Sequence, residues 1–403
     1  MKGHDDCVEG NVIKFKGKQK VAFISTYPPR ACGIATFTQD LVRALDPCFV
    51  GVQPTVIAVS NAPMDYSKRV TLEIDQSDRA SYRKAACALN EASLDLVVLE
   101  HEYGIFGGEN GEFILDFVDH LQVPLVTTLH TVLPNPLPKQ AYILKELGNK
   151  STKIVTMAYV TKTMLRDIYD IPENKIVVIP HGVPAIPQTL SRKELKTSSG
   201  FAGRSVISTF GLLSPGKGLE YGIKAIAMIA EKHPEVLYLI LGQTHPCVKE
   251  AAGEEYREGL EKLVKKLHVE KQVRFVNRYL SKKEIVQYLC LSDIYMTPYL
   301  DRNQAVSGTL AYAAGYGKVI ISTPYKYAQE ILAEGRGLLA EFADAEALAK
   351  QIDDVLMHPE KKKSMEEKTS LLGQSMMWEN VATVYAKLFE EIAAGVNKES
   401  LVV

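Results

Sequence analysis

Short apolar runs alternate with helix-like segments along most of the chain, and this alternation constrains the fold more than any other feature. Examples are VAFIST at 21–26, PTVIAVS at 54–60 and PLVTTLH at 124–130, and the rhythm restarts further on with RSVISTFG and VLYLILG. Short apolar runs between helices are typical of parallel strands that are buried on both faces. The sequence therefore predicts an α/β fold with two Rossmann-like, doubly wound halves.

A stretch rich in Pro, Ser, Thr and Lys, from about Gly182 to Gly203, interrupts the rhythm and separates the halves. A chain of 403 residues is long enough for two domains. We predict an N-terminal domain over 1–190, a C-terminal domain over 191–375 and a last helix over 376–403. The charged segment at about 248–268 is expected to form one helix.

Composition excludes several classes of protein. The 47 basic and 48 acidic residues leave a net charge of -1, which argues against a nucleic-acid partner, and membrane contact is not indicated. No apolar leader or spanning run is visible, so a cytoplasmic location is expected. Six scattered cysteines predict reduced, mostly buried thiols and no metal cluster, and they are Cys7, Cys32, Cys48, Cys87, Cys247 and Cys290.

Ligands of doubly wound sheets bind in the loops that follow the strands, so candidate residues are sought there. In the first half, Gly33 either admits a ligand close to the backbone or is a plain turn glycine. Glu100, His101 and Glu102 end a strand and are candidates for binding sugar hydroxyls. Neighbours on a strand point to opposite faces, which disfavours a metal held by these three residues. His130 is either a hydrogen-bonding partner of a sugar or a structural histidine.

The second half contains two loops suited to anions. Lys217, between Gly216 and Gly218, precedes a helix whose start carries positive partial charge, which favours phosphate contact over a solvated lysine. Gly218 stands where a Walker loop requires Ser or Thr. The second loop, with Ser307, Gly308 and Thr309, begins another helix and offers either an anion cradle or ordinary caps. Together the two loops indicate binding of a phosphorylated donor.

With these loops in place, the chain resembles the family 4 glycosyltransferases, which are retaining enzymes of the GT-B fold. The resemblance spans nearly the whole chain and is carried by STYPPRACGIATFTQDL, TTLHTV, VIPHGV, FGLLSPGKGLE, AYAAGYGKVIIST and ILAEGRGLL. It implies an acceptor-side first domain and a donor-binding second domain that face each other across a cleft. It also implies that the last helix, near Trp378, crosses back to the first domain.

The resemblance also implies roles for individual residues. His130 would contact the transferred sugar, and Lys217 would neutralise the donor diphosphate, so both are predicted catalytic residues. The other implied phosphate contacts are Gly33, Ser307, Gly308 and Thr309. The resemblance implies neither a bound metal nor a cofactor, because fixed positive groups would stabilise the leaving phosphate.

Three positions depart from the family pattern. Leu212 stands where the family usually has an arginine, and Arg302 and Leu310 stand where it usually has two glutamates. The second glutamate normally binds the ribose, and a leucine cannot form that hydrogen bond. We hypothesise that Arg302 restores the missing positive charge at the donor phosphates.

These observations predict a retaining transferase that moves a hexose, mannose or glucose, from a nucleotide-sugar donor to a carbohydrate acceptor. One alternative is a phosphorylase-like enzyme that uses a sugar 1-phosphate, and another is a non-catalytic protein that binds glycans or nucleotides. An oxidoreductase is disfavoured because GxGxxG is missing. The oligomeric state is left open.

Overall fold

The computed structural model describes residues 19–30, 32–46 and 51–399, with side chains up to residue 395. The N-terminal leader, Ala31, Cys7 and Cys48 therefore lie outside the described residues. The described part contains two separate sheets whose registered strand pairs are all parallel. This confirms the predicted α/β fold with two Rossmann-like domains.

The first sheet has seven strands in the order β3-β2-β1-β4-β5-β6-β7. Its strands are β1 Gln19–Ser25, β2 Val52–Ser60, β3 Val70–Asp75, β4 Leu96–His101, β5 Leu125–Leu129, β6 Lys153–Thr156 and β7 Ile176–Val178. The central strands β4 and β5 are buried along their whole length. The edge strand β3 was not predicted, because exposed residues alternate with buried or partly buried ones and form no apolar run.

Helices connect and cover these strands. They are α1 Gly33–Ala44, α2 Arg79–Glu91, α3 Ile114–His120, α4 Pro138–Lys150 and α5 Tyr159–Asp167. Short polar side chains begin some of them, as at α2, where the Asp78 carboxylate accepts a hydrogen bond from the Ala80 amide at 2.9 Å. The helices α2 and α3 contribute Tyr82 and Phe117 to an apolar cluster on one face of the sheet.

The second sheet has six strands in the order β10-β9-β8-β11-β12-β13. They are β8 Ser205–Phe210, β9 Val236–Leu241, β10 Val273–Val276, β11 Ile294–Thr297, β12 Val319–Ser322 and β13 Gly337–Leu339. Alternate residues of β9 enter two different apolar clusters, Leu237 and Leu239 on one face, Tyr238 and Ile240 on the other. Both faces of this sheet are therefore covered.

The remaining helices follow in chain order. They are α6 Arg192–Ser198, α7 Leu219–Ile229, α8 Pro246–Ala252, α9 Glu255–Lys266, α10 Lys282–Leu291, α11 Gly308–Gly315, α12 Lys326–Ile331, α13 Ala345–Met357, α14 Pro359–Ser375 and α15 Trp378–Glu399. The prediction of a single helix at 248–268 was wrong. Gly253 has φ of 60°, a left-handed conformation that glycine adopts easily, and it separates α8 from α9.

The chain divides into two compact units. The first comprises the described parts of Met1–His130, Leu137–Val155 and Ala382–Val403, and the second comprises Thr131–Pro136 and Thr156–Val381. Helix α15 begins in the second unit and continues in the first, where Phe389 packs edge-on against Phe23 of β1 at 6.4 Å between ring centroids. The predicted return of the last helix is thus confirmed, whereas the domain boundaries at 190 and 375 stay predictions.

The described cysteines differ from the expectation in their exposure. All four are free thiols, but Cys87 and Cys247 are exposed, while Cys32 and Cys290 are partly buried. The prediction of mostly buried thiols was therefore wrong for these residues. Cys87 lies on the outer side of α2 and Cys247 in the first turn of α8, where neither side chain reaches a core. Of the helices that the structure describes, none has the length and apolar character needed to span a bilayer.

Candidate active site

In the first unit, the predicted catalytic histidine is held by a buried carboxylate. His130 follows β5, and its Nε2 lies 2.8 Å from Oε2 of Glu100, at the end of the adjacent strand β4. The Glu100 side chain is fully buried, and 7% of the His130 side chain is exposed. Burial raises the pKa of Glu100, and the hydrogen bond from His130 opposes that rise. The carboxylate fixes the ring, so a ligand contact by His130 would use Nδ1.

An aromatic ring and a hydroxyl complete the surroundings of this pair. Phe37 of α1 meets the imidazole edge-on at 4.7 Å between centroids. The hydroxyl of Thr128 interacts with Glu100 and helps to lower its pKa, and it lies 3.4 Å from the hydroxyl of Tyr385 on α15. A polar chain therefore runs from His130 through Glu100 and Thr128 to the last helix.

The structure does not bring Glu100, His101 and Glu102 together. His101 is fully buried between the rings of Tyr103 and Phe106, at 5.1 and 5.8 Å between centroids. Burial lowers the pKa of His101 to about 3, with a smaller contribution from the charge of His130, so its ring is neutral. Glu102 instead accepts a hydrogen bond from the Tyr103 amide at 2.9 Å and caps a short turn. Sugar binding by these residues stays a prediction.

Gly33 is the first residue of α1, directly after the N-cap residue Cys32. The Cys32 sulfur accepts a hydrogen bond from the Ala35 amide at 3.3 Å. A Cβ on Gly33 would have no described atom within 4 Å, so this position faces open space. The close approach of a ligand that was predicted here is sterically allowed, and phosphate contact by Gly33 stays a prediction.

In the second unit, Lys217 lies on an aromatic ring. Its Nζ is 3.8 Å from the centroid of Tyr299, which follows β11 and is almost fully buried. The Lys217 loop can approach that segment because Gly218 has φ of 59° and no side chain. A Cβ there would stand 2.1 Å from the carbonyl oxygen of Pro298. Among the described residues, no carboxylate forms an ion pair with Lys217.

Tyr299 also contacts the second predicted anion loop. Its hydroxyl lies 2.8 Å from Oγ1 of Thr309, which is 3.2 Å from Oγ of Ser307. Ser307 is the N-cap of α11 and accepts a hydrogen bond from the Leu310 amide at 3.3 Å. The two loops that the sequence predicts separately are thus joined through one aromatic residue, which sequence reasoning missed because nothing distinguishes it within the strand-like run DIYMTPY.

A histidine lies at the same helix start. His181, from the segment VIPHGV, would have its Nε2 only 3.3 Å from a Cβ placed on Gly308. Its Nδ1 is 2.8 Å from the carbonyl oxygen of Gly182. This geometry places an imidazole beside the first amides of α11. The sequence contained this motif, but no site role was predicted for it.

Arg302 and Leu310, which stand where the family usually has two glutamates, lie in different surroundings. Arg302 is exposed and stacks on Phe342, with 4.2 Å from its guanidinium carbon to the ring centroid. No described contact links Arg302 to Ser307 or Thr309, so restoration of the missing charge by Arg302 stays a hypothesis. Leu310 is fully buried in the core, whereas Tyr312, two residues further along α11, packs on Phe210 with 6.0 Å between ring centroids.

A small apolar pocket lies at the carboxyl ends of β8 and β9, with a volume of about 90 Å³. It is lined by Phe210, Gly211, Leu212, Leu241, Gly242, Gln243, Tyr279, Leu280 and Ile285. Gly211 and Gly242 approach each other so closely that a Cβ on Gly242 would stand 2.0 Å from the Gly211 carbonyl oxygen. The pocket therefore has a wall of bare backbone, and Leu212 contributes to its lining.

In the part of the chain that the structure describes, no group of three or more His, Cys, Asp or Glu side chains is arranged to hold a metal ion. The expectation of a site that uses neither metal nor cofactor stays a prediction.

Two family patterns match successive parts of the chain. Residues 31–185 match the pattern described as Glycosyltransferase Family 4, and residues 191–371 match Glycosyl transferases group 1. The first covers the Glu100–His130 pair, and the second covers Lys217, Tyr299 and Thr309. Both groups of residues described above thus fall inside the matched regions.

Curated relatives match about half of the chain. Spore coat protein SA of Bacillus subtilis is 26% identical over 210 residues, which are 49% of this chain and 52% of the relative. The GDP-mannose-dependent alpha-(1-6)-phosphatidylinositol monomannoside mannosyltransferase of Mycolicibacterium smegmatis is 22% identical over 245 residues, 59% of this chain and 61% of the relative. The match thus spans between half and two thirds of the length of each relative.

A solved structure matches almost the whole chain. The crystal structure of Anabaena HepE in complex with UDP has a TM-score of 0.73 at 15% identity, covering 93% of this chain and 100% of that chain. The same protein in complex with UDP-glucose has a TM-score of 0.68 at 15% identity, covering 94% and 99%. At this level of identity, the likeness shows a shared fold.

Proposed function

We propose that this chain, which belongs to family 4 of the glycosyltransferases, transfers a hexosyl group from a nucleotide-sugar to a carbohydrate acceptor with retention of configuration. The observation that carries the proposal is the joining of Lys217 and the Ser307–Thr309 helix start through Tyr299. One full positive charge and one helix N-terminus then meet at one place, which is what a diphosphate leaving group requires.

The donor would lie mainly in the second unit. A flat, largely apolar group such as a nucleobase matches the lining of the pocket beside Gly211 and Gly242. The diphosphate would then be held by Lys217 and the first amides of α11. A GDP-mannose-dependent relative and a UDP-glucose complex of a similar fold support mannose and glucose as the first sugars to test.

The chemical step involves two bonds and one proton. The bond between the anomeric carbon and the diphosphate oxygen breaks, and the acceptor oxygen bonds to the same face of that carbon. The acceptor proton passes to the departing diphosphate oxygen. Lys217 stabilises the charge that develops on that oxygen, and a fixed cation needs little reorganisation to do so.

The Glu100–His130 pair of the first unit has a different part in the proposal. His130 would hydrogen-bond a hydroxyl of the transferred sugar through Nδ1, since Nε2 is held by the buried carboxylate of Glu100. Holding the ring in one orientation places that bond without further ordering when the sugar arrives. Gly33, facing open space at the start of α1, would allow the phosphates to approach the backbone.

A second candidate is a phosphorylase-like enzyme that uses a sugar 1-phosphate. The observation that favours it is the composition of α11, whose residues Gly308–Gly315 include no carboxylate that could bind a ribose. A phosphorylase needs the anion site without the ribose contact. Donor binding distinguishes the two enzymes.

The test is thermal stabilisation of the full chain by UDP, GDP, ADP and inorganic phosphate, because a ligand of the folded state raises the melting temperature. A shift with one nucleoside diphosphate, lost in Lys217→Ala, supports the transferase and identifies the donor base. A shift with phosphate alone supports the phosphorylase. No shift with any ligand, together with no sugar transfer from UDP-glucose or GDP-mannose, contradicts both and leaves a non-catalytic binding protein.

A further inference from the structure

Tyr299 touches both anion loops of the second unit, the one with Lys217 and the one with Ser307 and Thr309. The resemblance to the family implies no role for Tyr299. Its ring lies under the Lys217 ammonium at 3.8 Å, and its hydroxyl lies 2.8 Å from Thr309 Oγ1. We propose that Tyr299 is a positioning residue, which holds the Lys217 ammonium over the start of α11 so that it can stabilise the leaving phosphate. This inference rests on the proposed function.

The ring and the backbone segment that carries it are held by three contacts. Tyr325 stacks on it, with 5.6 Å between centroids and 15° between planes. The hydroxyl of Thr323 donates a hydrogen bond to the Tyr299 carbonyl oxygen. Leu300, the next residue, donates its amide to the Gly216 carbonyl at 3.0 Å and ties this segment to the Lys217 loop. A ring so constrained is a rigid platform for a flexible lysine side chain.

An aromatic ring holds a cation differently from a carboxylate. A carboxylate would orient Lys217 but would also cancel its charge, which would weaken its attraction for a phosphate. The face of a tyrosine ring attracts an ammonium through its quadrupole and leaves the net charge at +1. Leu212 stands where the family usually has an arginine, so Lys217 is the one cation in the sequence of this loop. An unpaired charge on Lys217 is therefore needed to attract a phosphate.

The contact between Tyr299 and Thr309 sets the distance between the tyrosine ring and the start of α11. The tyrosine hydroxyl engages the Thr309 side chain, which Ser307 also contacts, so the ring is fixed relative to the first turn of α11. The cation and the helix amides are thereby held at a constant spacing before any ligand binds. Such preorganisation is expected to appear in both anion affinity and turnover.

The experiment measures binding of inorganic pyrophosphate and of the nucleoside diphosphate that stabilises the protein, in the full chain and its variants. Tyr299→Leu, which removes the ring, is expected to weaken binding about 10-fold, as loss of one desolvated cation–ring contact would. Tyr299→Phe, which keeps the ring, is expected to remain within about 3-fold of wild type. The matched control is Tyr221→Leu, since Tyr221 carries Lys224 on its ring at 5.1 Å within α7.

A double-mutant cycle separates positioning from general packing. If Tyr299 acts through Lys217, the Tyr299→Leu change has no further effect on pyrophosphate binding once Lys217→Ala is present. Additive losses in the double variant would overturn the inference. An equal loss in Tyr299→Phe and Tyr299→Leu would also overturn it, because the hydroxyl and not the ring would then be responsible.

Tyr299 is buried, so a variant with the same shape guards against misfolding. Incorporation of mono-, di- and trifluorinated phenylalanine at position 299 withdraws electrons from the ring face with little change in volume. Anion affinity should fall stepwise with fluorine number, whereas a ring needed only for packing would give no trend. A flat series overturns the inference even if Tyr299→Leu does not fold.

These outcomes distinguish the inference from the proposed function. If pyrophosphate binding depends on Tyr299 through Lys217 while no nucleotide-sugar is used, the inference stands and the transferase proposal fails. If sugar transfer occurs and requires Lys217 but is insensitive to the ring at 299, the proposal stands and the inference fails. If neither pyrophosphate nor a nucleotide binds, both fail.

Discussion

The two units hold their predicted catalytic side chains in opposite ways. In the first, His130 is bonded through Nε2 to Glu100, a fully buried carboxylate. In the second, Lys217 rests on the face of Tyr299, and no described carboxylate pairs with it. The difference matches the proposed tasks. A hydrogen-bonding ring gains from a partner that fixes its orientation, whereas a group that must attract phosphate gains from a partner that leaves its charge intact.

The largest effect is expected from removing the cation. Lys217→Ala should lower kcat/KM for the donor by about 100-fold or more, since loss of one group that stabilises a developing oxyanion has consequences of that size. Steady-state kinetics across donor concentrations measures this. Lys224→Ala is the control, because Lys224 also lies on a tyrosine ring but within α7. Equal losses in both variants would contradict a specific role for Lys217.

A smaller loss is expected when the buried carboxylate is made neutral. Glu100→Gln keeps the side-chain volume but removes the charge that selects the proton position on His130. We expect kcat to fall on the order of 10-fold with a smaller change in KM. Glu91→Gln is the control, as Glu91 is an exposed carboxylate at the end of α2. If both glutamine variants show the same kcat, the hydrogen bond between Glu100 and His130 does not contribute to turnover.

His101 sharpens the comparison, because it lies on the same strand as Glu100 and has no carboxylate partner. Neither of its ring nitrogens has a hydrogen-bond partner among the described residues. Burial lowers its pKa from an ordinary 6.5 to about 3. The unfolded chain therefore takes up a proton below pH 6.5 that the folded protein refuses until about pH 3, and stability falls as the pH drops through that window.

The measurement is denaturant unfolding of wild type and His101→Phe at several pH values. Relative to the variant, the wild type should lose about 1.4 kcal/mol of unfolding free energy for each pH unit below 6.5. Above that pH the difference should be constant. A difference that stays the same from neutral pH down to pH 5 would mean that His101 is solvated or paired in solution.

The smallest effect is expected at the far end of the polar chain. Tyr385→Phe removes a hydroxyl that is 3.4 Å from Thr128, which is too long for a strong hydrogen bond. Packing of the ring against Phe389 would remain. Turnover should stay within about 2-fold and the unfolding free energy within about 1 kcal/mol of wild type. A larger loss of turnover would show that α15 helps to orient His130 through Glu100.

Local patterns were sufficient to predict most strands and several helix starts. The apolar runs at β1, β2, β5, β8 and β9 lie where they were expected, and Trp378 begins α15. The edge strands β3 and β13 were missed. One is half-exposed and the other is three residues long, so neither produces the apolar run that marks a central strand.

The residue types of the candidate site were also visible in the sequence, but their partners were not. Glu100, His101 and Glu102 are adjacent in the sequence, but the structure gives them three different surroundings. Glu100 is hydrogen-bonded to His130, His101 is a buried ring, and Glu102 caps a turn. Lys217 and Thr309 were assigned to separate loops, and Tyr299 between them was overlooked.

The sequence by itself determined the α/β class, the strand ends that carry polar residues, and the helix starts at Ser307 and after Gly218. Each depends on residues close together in the chain. Only the tertiary structure decided which strand ends are neighbours. Parallel strands are joined by helical crossovers, so residues close together in the chain do not determine the order of the strands in the sheet. That order places Glu100, at the end of β4, beside His130, which follows β5. It also places β11, which Tyr299 follows, beside β8. The same order therefore decides that His130 contacts a carboxylate and that Lys217 contacts an aromatic ring.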